Sequence, residues 1–209
     1  MSEPAELEAL LRLMPPDTES DTVVDWDEMT ESWGRAFPAA YQRFIAVYGA
    51  GTIEDYLVIS TPESWGESPE GDHNDMRAGT AFARVLWQRE DARKERDLEG
   101  VAPRLILWGL DSSGDQLCWD ASDPDPEKWP VLLYNRGKAI WRRYDCGMVE
   151  FLVRHLEGDF PACPLGDLGL FGRRRATFLT RTEYMRRLRS GVDPWTGEPD
   201  PYAGMFNYG

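Results

Sequence analysis

The chain has 209 residues, of which 42% are apolar and nine are tryptophan; this suffices for one domain with a real core and excludes a disordered polymer. Its net charge of −14 excludes nucleic-acid binding through the body of the protein, because phosphate recognition needs clustered cations. No window reaches the roughly 18 uninterrupted apolar residues of a membrane span, and the acidic start lacks the basic-then-apolar order of a signal peptide.

In chain order, residues 4–14 read as an amphipathic helix with Leu7, Leu10, Leu11 and Met14 on one face, stopped by Pro15 and Pro16. Val23 to Trp26 suits a short strand, after which Asp25 or Asp27 caps a turn of helix to Trp33. The segment from Ala36 to Gly51 carries the strongest local signal. Pro38 fits a first helical turn, Tyr41, Phe44, Ile45 and Tyr48 make one apolar stripe, and Gly49 and Gly51 supply the stop. Thr52–Ser60 is a β-rich run closed by Pro62, and residues 62–78 are a loop by composition. Thr80–Asp97 reads as a helix facing Phe82, Val85 and Leu86 inward. Two hairpins follow, over 104–109 with 116–120 and over 130–135 with 138–143, each flanking a turn sequence. Asp145 caps a closing helix with Val149, Leu152, Val153 and Leu156 inward, ended by Gly158. The order predicts an α+β fold: a mostly antiparallel sheet of about five to six strands with helices packed on it. The helices at 38–48 and 146–157 are expected on one face, burying Phe44, Ile45, Leu152 and Leu156. Residues 1–160 form this domain. Residues 161–209 are read as an arm packed on it, with Thr180 and Glu183 marking a capping box and four aromatics, Trp195, Tyr202, Phe206 and Tyr208, in its tail.

Charge is unevenly spread. Ten acids stand against Arg12 in residues 1–31, whereas seven arginines stand against Glu183 in residues 172–190. The acidic body suits a basic protein partner steered by long-range attraction. No nucleophile elbow, zinc-helix, phosphate-loop or paired-cysteine motif is present. Asp72, His73 and Asp75 are spaced as an O/N/O metal set, but such a loop is ordinarily just solvated, so neither a metal nor another cofactor is expected. Asp111 to Asp115 matches a calcium-loop fragment without its bidentate glutamate, so a hairpin turn in which Asp111 bonds its own backbone is the plainer reading. Cys118 packs as a small apolar group, His155 edges the core or is exposed, and the three cysteines fit a reducing compartment, the cytoplasm.

The Pro38, Tyr41, Phe44, Tyr48, Gly49, Gly51 pattern resembles the opening of the SUKH superfamily of bacterial immunity proteins and fungal Smi/Knr-type cell-wall-assembly regulators. Trp108 to Asp120 is similar to that family's central Gly-Asp hairpin, Trp129 to Trp141 to its Pro-Val strand pair, and Asp145 to Leu156 to its closing helix. Residues 25–157 follow the pattern, and the tail departs from it. The resemblance implies a non-enzymatic protein-binding domain, foremost a cytoplasmic immunity protein that neutralises a basic toxin such as a nuclease. A regulatory adaptor without a toxin, or a small-ligand binder, are the other readings. Partner docking is expected on an acidic, aromatic surface of Glu54, Asp55, Asp72, Asp75, Asp111, Asp115 and Asp120, anchored by Trp65 and Trp119.

Overall fold

A computed structural model of the chain describes residues 5–17, 20, 22–62, 75–166 and 168–201. Six α-helices and eight strands are found among them: α1 (Ala5–Leu13), α2 (Trp26–Trp33), α3 (Ala39–Tyr48), β1 (Gly51–Ile53), β2 (Leu57–Ile59), α4 (Met76–Gln88), β3 (Arg93–Lys94), β4 (Leu105–Asp111), β5 (Gln116–Asp120), β6 (Val131–Asn135), β7 (Ile140–Tyr144), α5 (Met148–Glu157), β8 (Phe178–Thr180) and α6 (Arg181–Arg189). The strands form one sheet in the order β3-β7-β6-β5-β4-β2-β1-β8, antiparallel throughout except for β3 on β7. The α+β class, both hairpins and their antiparallel pairing match the sequence reading; the strand count exceeds it.

The three extra strands have separate causes. The run at 52–60 is itself a tight hairpin, since Glu54 adopts φ 48° and turns β1 back onto β2. The region read as helix to Asp97 breaks after Gln88, and Arg93 and Lys94 pair beside β7. β8 comes from beyond residue 160 and adds to β1. Leu165, Leu170 and Phe178 from this late segment enter the main core.

Side chains alternate across the sheet, as the two-residue period of strands requires. From β4 and β5, Ile106, Trp108, Leu117 and Trp119 point to one face, where α1, α2, α3 and α5 bury them. Leu105, Leu107 and Cys118 point to the other, against Ala83 and Leu86 of α4. The centre of the sheet is therefore apolar on both sides. Phe44, Ile45, Leu152 and Leu156 all lie in the first core, as expected. Buried tyrosine hydroxyls on α3 are satisfied by carbonyls: Tyr41 donates to Ser60 (2.6 Å) and Tyr48 to Met14 (2.7 Å), tying the helix to β2 and to the end of α1.

Several local readings are corrected. Trp26 opens α2 rather than ending a strand, with Asp25 as its cap. Pro38 precedes the first turn of α3, whose leading N–H, that of Ala39, donates to Glu127 Oε1. α4 starts at Met76, four residues early; Met76, Thr80, Ala83 and Leu86 face inward, and Phe82 and Val85 turn out, each more than half exposed. Asp145 pairs with Arg143 instead of capping α5, because the Cys146 carbonyl is still held by the Val131 N–H and the helix begins only after Gly147. Gly49 does stop α3, at φ 74°. Gly51 serves another purpose: a Cβ there would stand 2.1 Å from the Leu179 carbonyl oxygen, so only glycine lets β8 approach.

Gly51→Ala is expected to push β8 off the sheet and lower unfolding free energy by about 2–4 kcal/mol. A chemical-denaturation midpoint indistinguishable from that of the parent protein would contradict this packing.

Candidate functional site

The acids of the β4–β5 hairpin are consumed internally. Asp111 accepts from the Asp115 N–H (2.7 Å) and from Ser113 Oγ (2.8 Å), closing the turn. Asp115 is fully buried and accepts from the backbone N–H groups of Arg136 (2.7 Å) and Gly166 (2.6 Å) and from Asn135 Nδ2 (3.1 Å). One carboxylate thus joins the β4–β5 turn, the β6–β7 turn and the late segment. Burial pushes its carboxyl above the ordinary range, and the N–H of Arg136 works against that rise. Asp120 Oδ1 holds the N–H groups of Arg104 and Ser122 at 3.1 Å. Trp119 has no exposed surface and packs on Tyr41 with ring centroids 4.9 Å apart. These four residues cannot face a partner, and the docking surface drawn through them is corrected. Short polar loops such as Asp-Ser-Ser-Gly-Asp look solvated in a sequence, whereas here they turn inward onto donors from distant segments.

The remaining expected residues divide. Glu54 is mostly covered, accepting from the Thr177 N–H (2.8 Å) and facing Arg173 Nη1 at 3.6 Å. Asp55 is exposed, and Asp75 caps α4 by accepting from Arg77 and Ala78 N–H. Trp65, Asp72 and His73 lie outside the described residues.

Asp75 leads to a surface that the sequence reading treated only as a capped turn. Trp33, at the end of α2, meets chain on both sides of residues 63–74: its Nε1 donates to the Pro62 carbonyl (3.3 Å), and the Arg77 guanidinium lies 4.4 Å over its ring. Arg77 also donates to Ser32 Oγ. On α2, Asp27, Glu28 and Glu31 are exposed, and Asp75 is partly exposed at the start of α4. A spacing of three and four residues on an amphipathic helix was the signal available, since Met29 is the inward position.

A second feature lies on the opposite face of the sheet. Thr52, Val58, Leu110, Gln116 and Tyr134 stand in successive register across β1, β2, β4, β5 and β6. They floor two adjoining cavities of about 440 and 640 Å³ that meet at Leu110, one walled by Tyr184 of α6 and the other by Phe82 of α4. The sequence gives no sign of this groove, because its floor residues are contributed one per strand.

Residues of catalytic type are placed structurally. Cys118 is fully buried with its thiol pushed upward by desolvation, and burial raises Cys146 to about 11, so neither supplies a thiolate near neutral pH. His155 is 1% exposed and stacked on Phe151, deeper than expected. Among the described residues no group of three His, Cys, Asp or Glu side chains is placed to hold a metal ion, and no helix is long and apolar enough to cross a membrane. No protein-family model, curated protein or solved structure matches the chain.

Because the folded protein holds the Asp115 proton more tightly than the unfolded chain, that contribution to stability is present below the ordinary pKa of 3.8 and is lost as pH rises through the raised folded value. The stability of the parent protein relative to Asp115→Asn should therefore increase on acidification from about pH 7 to about pH 4. A flat difference across that window, measured by urea unfolding, would contradict the raised pKa.

Proposed function

We propose that the chain is a non-enzymatic protein-binding domain, a cytoplasmic immunity protein that neutralises a basic toxin, with a nuclease as the fitting type. The observation that carries this reading is the acidic outer side of α2, where Asp27, Glu28 and Glu31 are exposed on the helix that ends in the half-buried Trp33. Exposed carboxylates of this kind steer a basic partner and speed its encounter, while a desolvated aromatic at the centre holds the complex. The resemblance of residues 25–157 to the SUKH superfamily points the same way, and so does the net charge of −14. The chemistry-bearing side chains support the non-enzymatic half: the carboxylates of the hairpin are saturated with donors and the buried thiols hold their protons. Asp55 sits at the β1–β2 turn and belongs to the outer field of charge rather than to the contact itself.

The partner is to be sought among basic proteins encoded beside this gene. Asp27→Lys with Glu31→Lys should slow association with that partner roughly tenfold at low salt and flatten its salt dependence, with dissociation little changed. Trp33→Ala should instead speed dissociation. Inhibition of the partner's toxicity by the parent protein, weakened by these substitutions, is the expected result. Binding without any relief of toxicity would favour a regulatory adaptor, and unchanged association in a folded charge-reversed variant would overturn the α2 surface.

A further inference from the structure

The groove on the α4 side has the composition of a ligand site rather than of a packing defect. Leu107, Leu110 and Tyr134 give it an apolar floor, and Phe82, more than half exposed, stands at its rim. Gln116 places a primary amide in this floor; the residue is 3% exposed, and its Oε1 is buried without a hydrogen-bond donor among the described residues. An unmet buried acceptor costs about 1–3 kcal/mol, so the position is poor for stability. Replacing Gln116 with leucine would fill the same space without that loss. Arg136 lines the mouth, and its guanidinium has no hydrogen-bond or ion-pair partner among the described residues, although acids outnumber bases in this chain. Its backbone N–H is fixed on Asp115, so the side chain is carried by an anchored turn. The neighbouring cation at the mouth, Arg89, is already bound to Asp91 at 2.6 Å.

We infer that this groove binds a small amphiphilic organic anion, with its apolar body between Phe82 and the Leu110–Tyr134 floor and its anionic group on Arg136. A cavity of about 640 Å³ accommodates such a molecule. The terminal amide of Gln116 turns about a broad torsion, which lets its oxygen swing to a donor on the ligand. The charge complementarity is specific: an unpaired guanidinium at one end of an apolar slot selects an anion over a neutral or cationic body of equal size. This inference does not rest on the protein-binding reading, since α2 and the groove lie on opposite faces of the sheet.

The test uses 8-anilinonaphthalene-1-sulfonate, which carries a planar apolar body, one sulfonate and one N–H donor. Its fluorescence should rise saturably at a single site on the full-length folded protein. Arg136→Gln should weaken the dissociation constant about tenfold, as expected for losing one charge-assisted contact. Leu110→Trp should abolish binding by filling the floor, and Gln116→Leu should weaken binding while raising the melting temperature. Absence of saturable binding, or equal affinity in folded Arg136→Gln and Leu110→Trp, would overturn the site. A lowered melting temperature for Gln116→Leu would show that the amide serves the fold and would overturn its role in the groove.

Discussion

The structure depends on burying the central strands from both sides. β4, β5 and β6 are apolar at every second position on each face, so neither face can be left in water. The larger residues, Trp108 and Trp119, go to the side covered by four helices, and the smaller set built on Leu107, Cys118 and Leu132 goes to the side covered by α4. Removing a buried tryptophan costs about 3–5 kcal/mol, so exposing either face would exceed the net stability of most domains within a few residues. This requirement dictates where α3, α4 and α5 must lie and why the late segment folds back to pair with β1.

Double burial also decides where function can reside. Carboxylates at the ends of the central strands cannot remain solvated once turns and the late segment close over them, so Asp111, Asp115 and Asp120 become acceptors for backbone N–H groups. Asp115 is the clearest case, one carboxylate gathering donors from three parts of the chain. Surface chemistry is thereby displaced to the margins. One margin is the acidic outer side of α2, and the other is the half-covered row from Thr52 to Gln116, where neither α4 nor α6 reaches across.

Much of the fold was legible because strong local signals coincide with tertiary need. The stripe of Tyr41, Phe44, Ile45 and Tyr48 has the helical period, and all four residues are buried. The two hairpins are bounded by turn residues with apolar runs on either side, and their registers close as those turns demand. What failed were features set by distant partners. Glu54 turns β1 onto β2 while held by Thr177, more than a hundred residues away, and β3 is a strand only because β7 offers it an edge. Phe82 and Val85 are apolar at helical spacing, yet α4 meets the sheet through Ala83 and Leu86 against Leu105 and Leu107, which leaves Phe82 and Val85 outside. The candidate site was less legible than the fold. Trp119 and the hairpin acids have the residue types of an interface, but only the packing reveals that they are covered. The α2 acids were visible as charge, yet nothing local shows that Trp33 meets both Pro62 and Arg77.

Under the proposed function, α2 and the start of α4 are the partner surface. Hydrogen–deuterium exchange of the complex with the proposed basic partner tests this most directly. Exchange should slow in residues 26–34 and 75–77, with the already buried strands β4 and β5 unchanged. Protection confined to the 111–120 hairpin, with α2 exchanging as in the free protein, would contradict it.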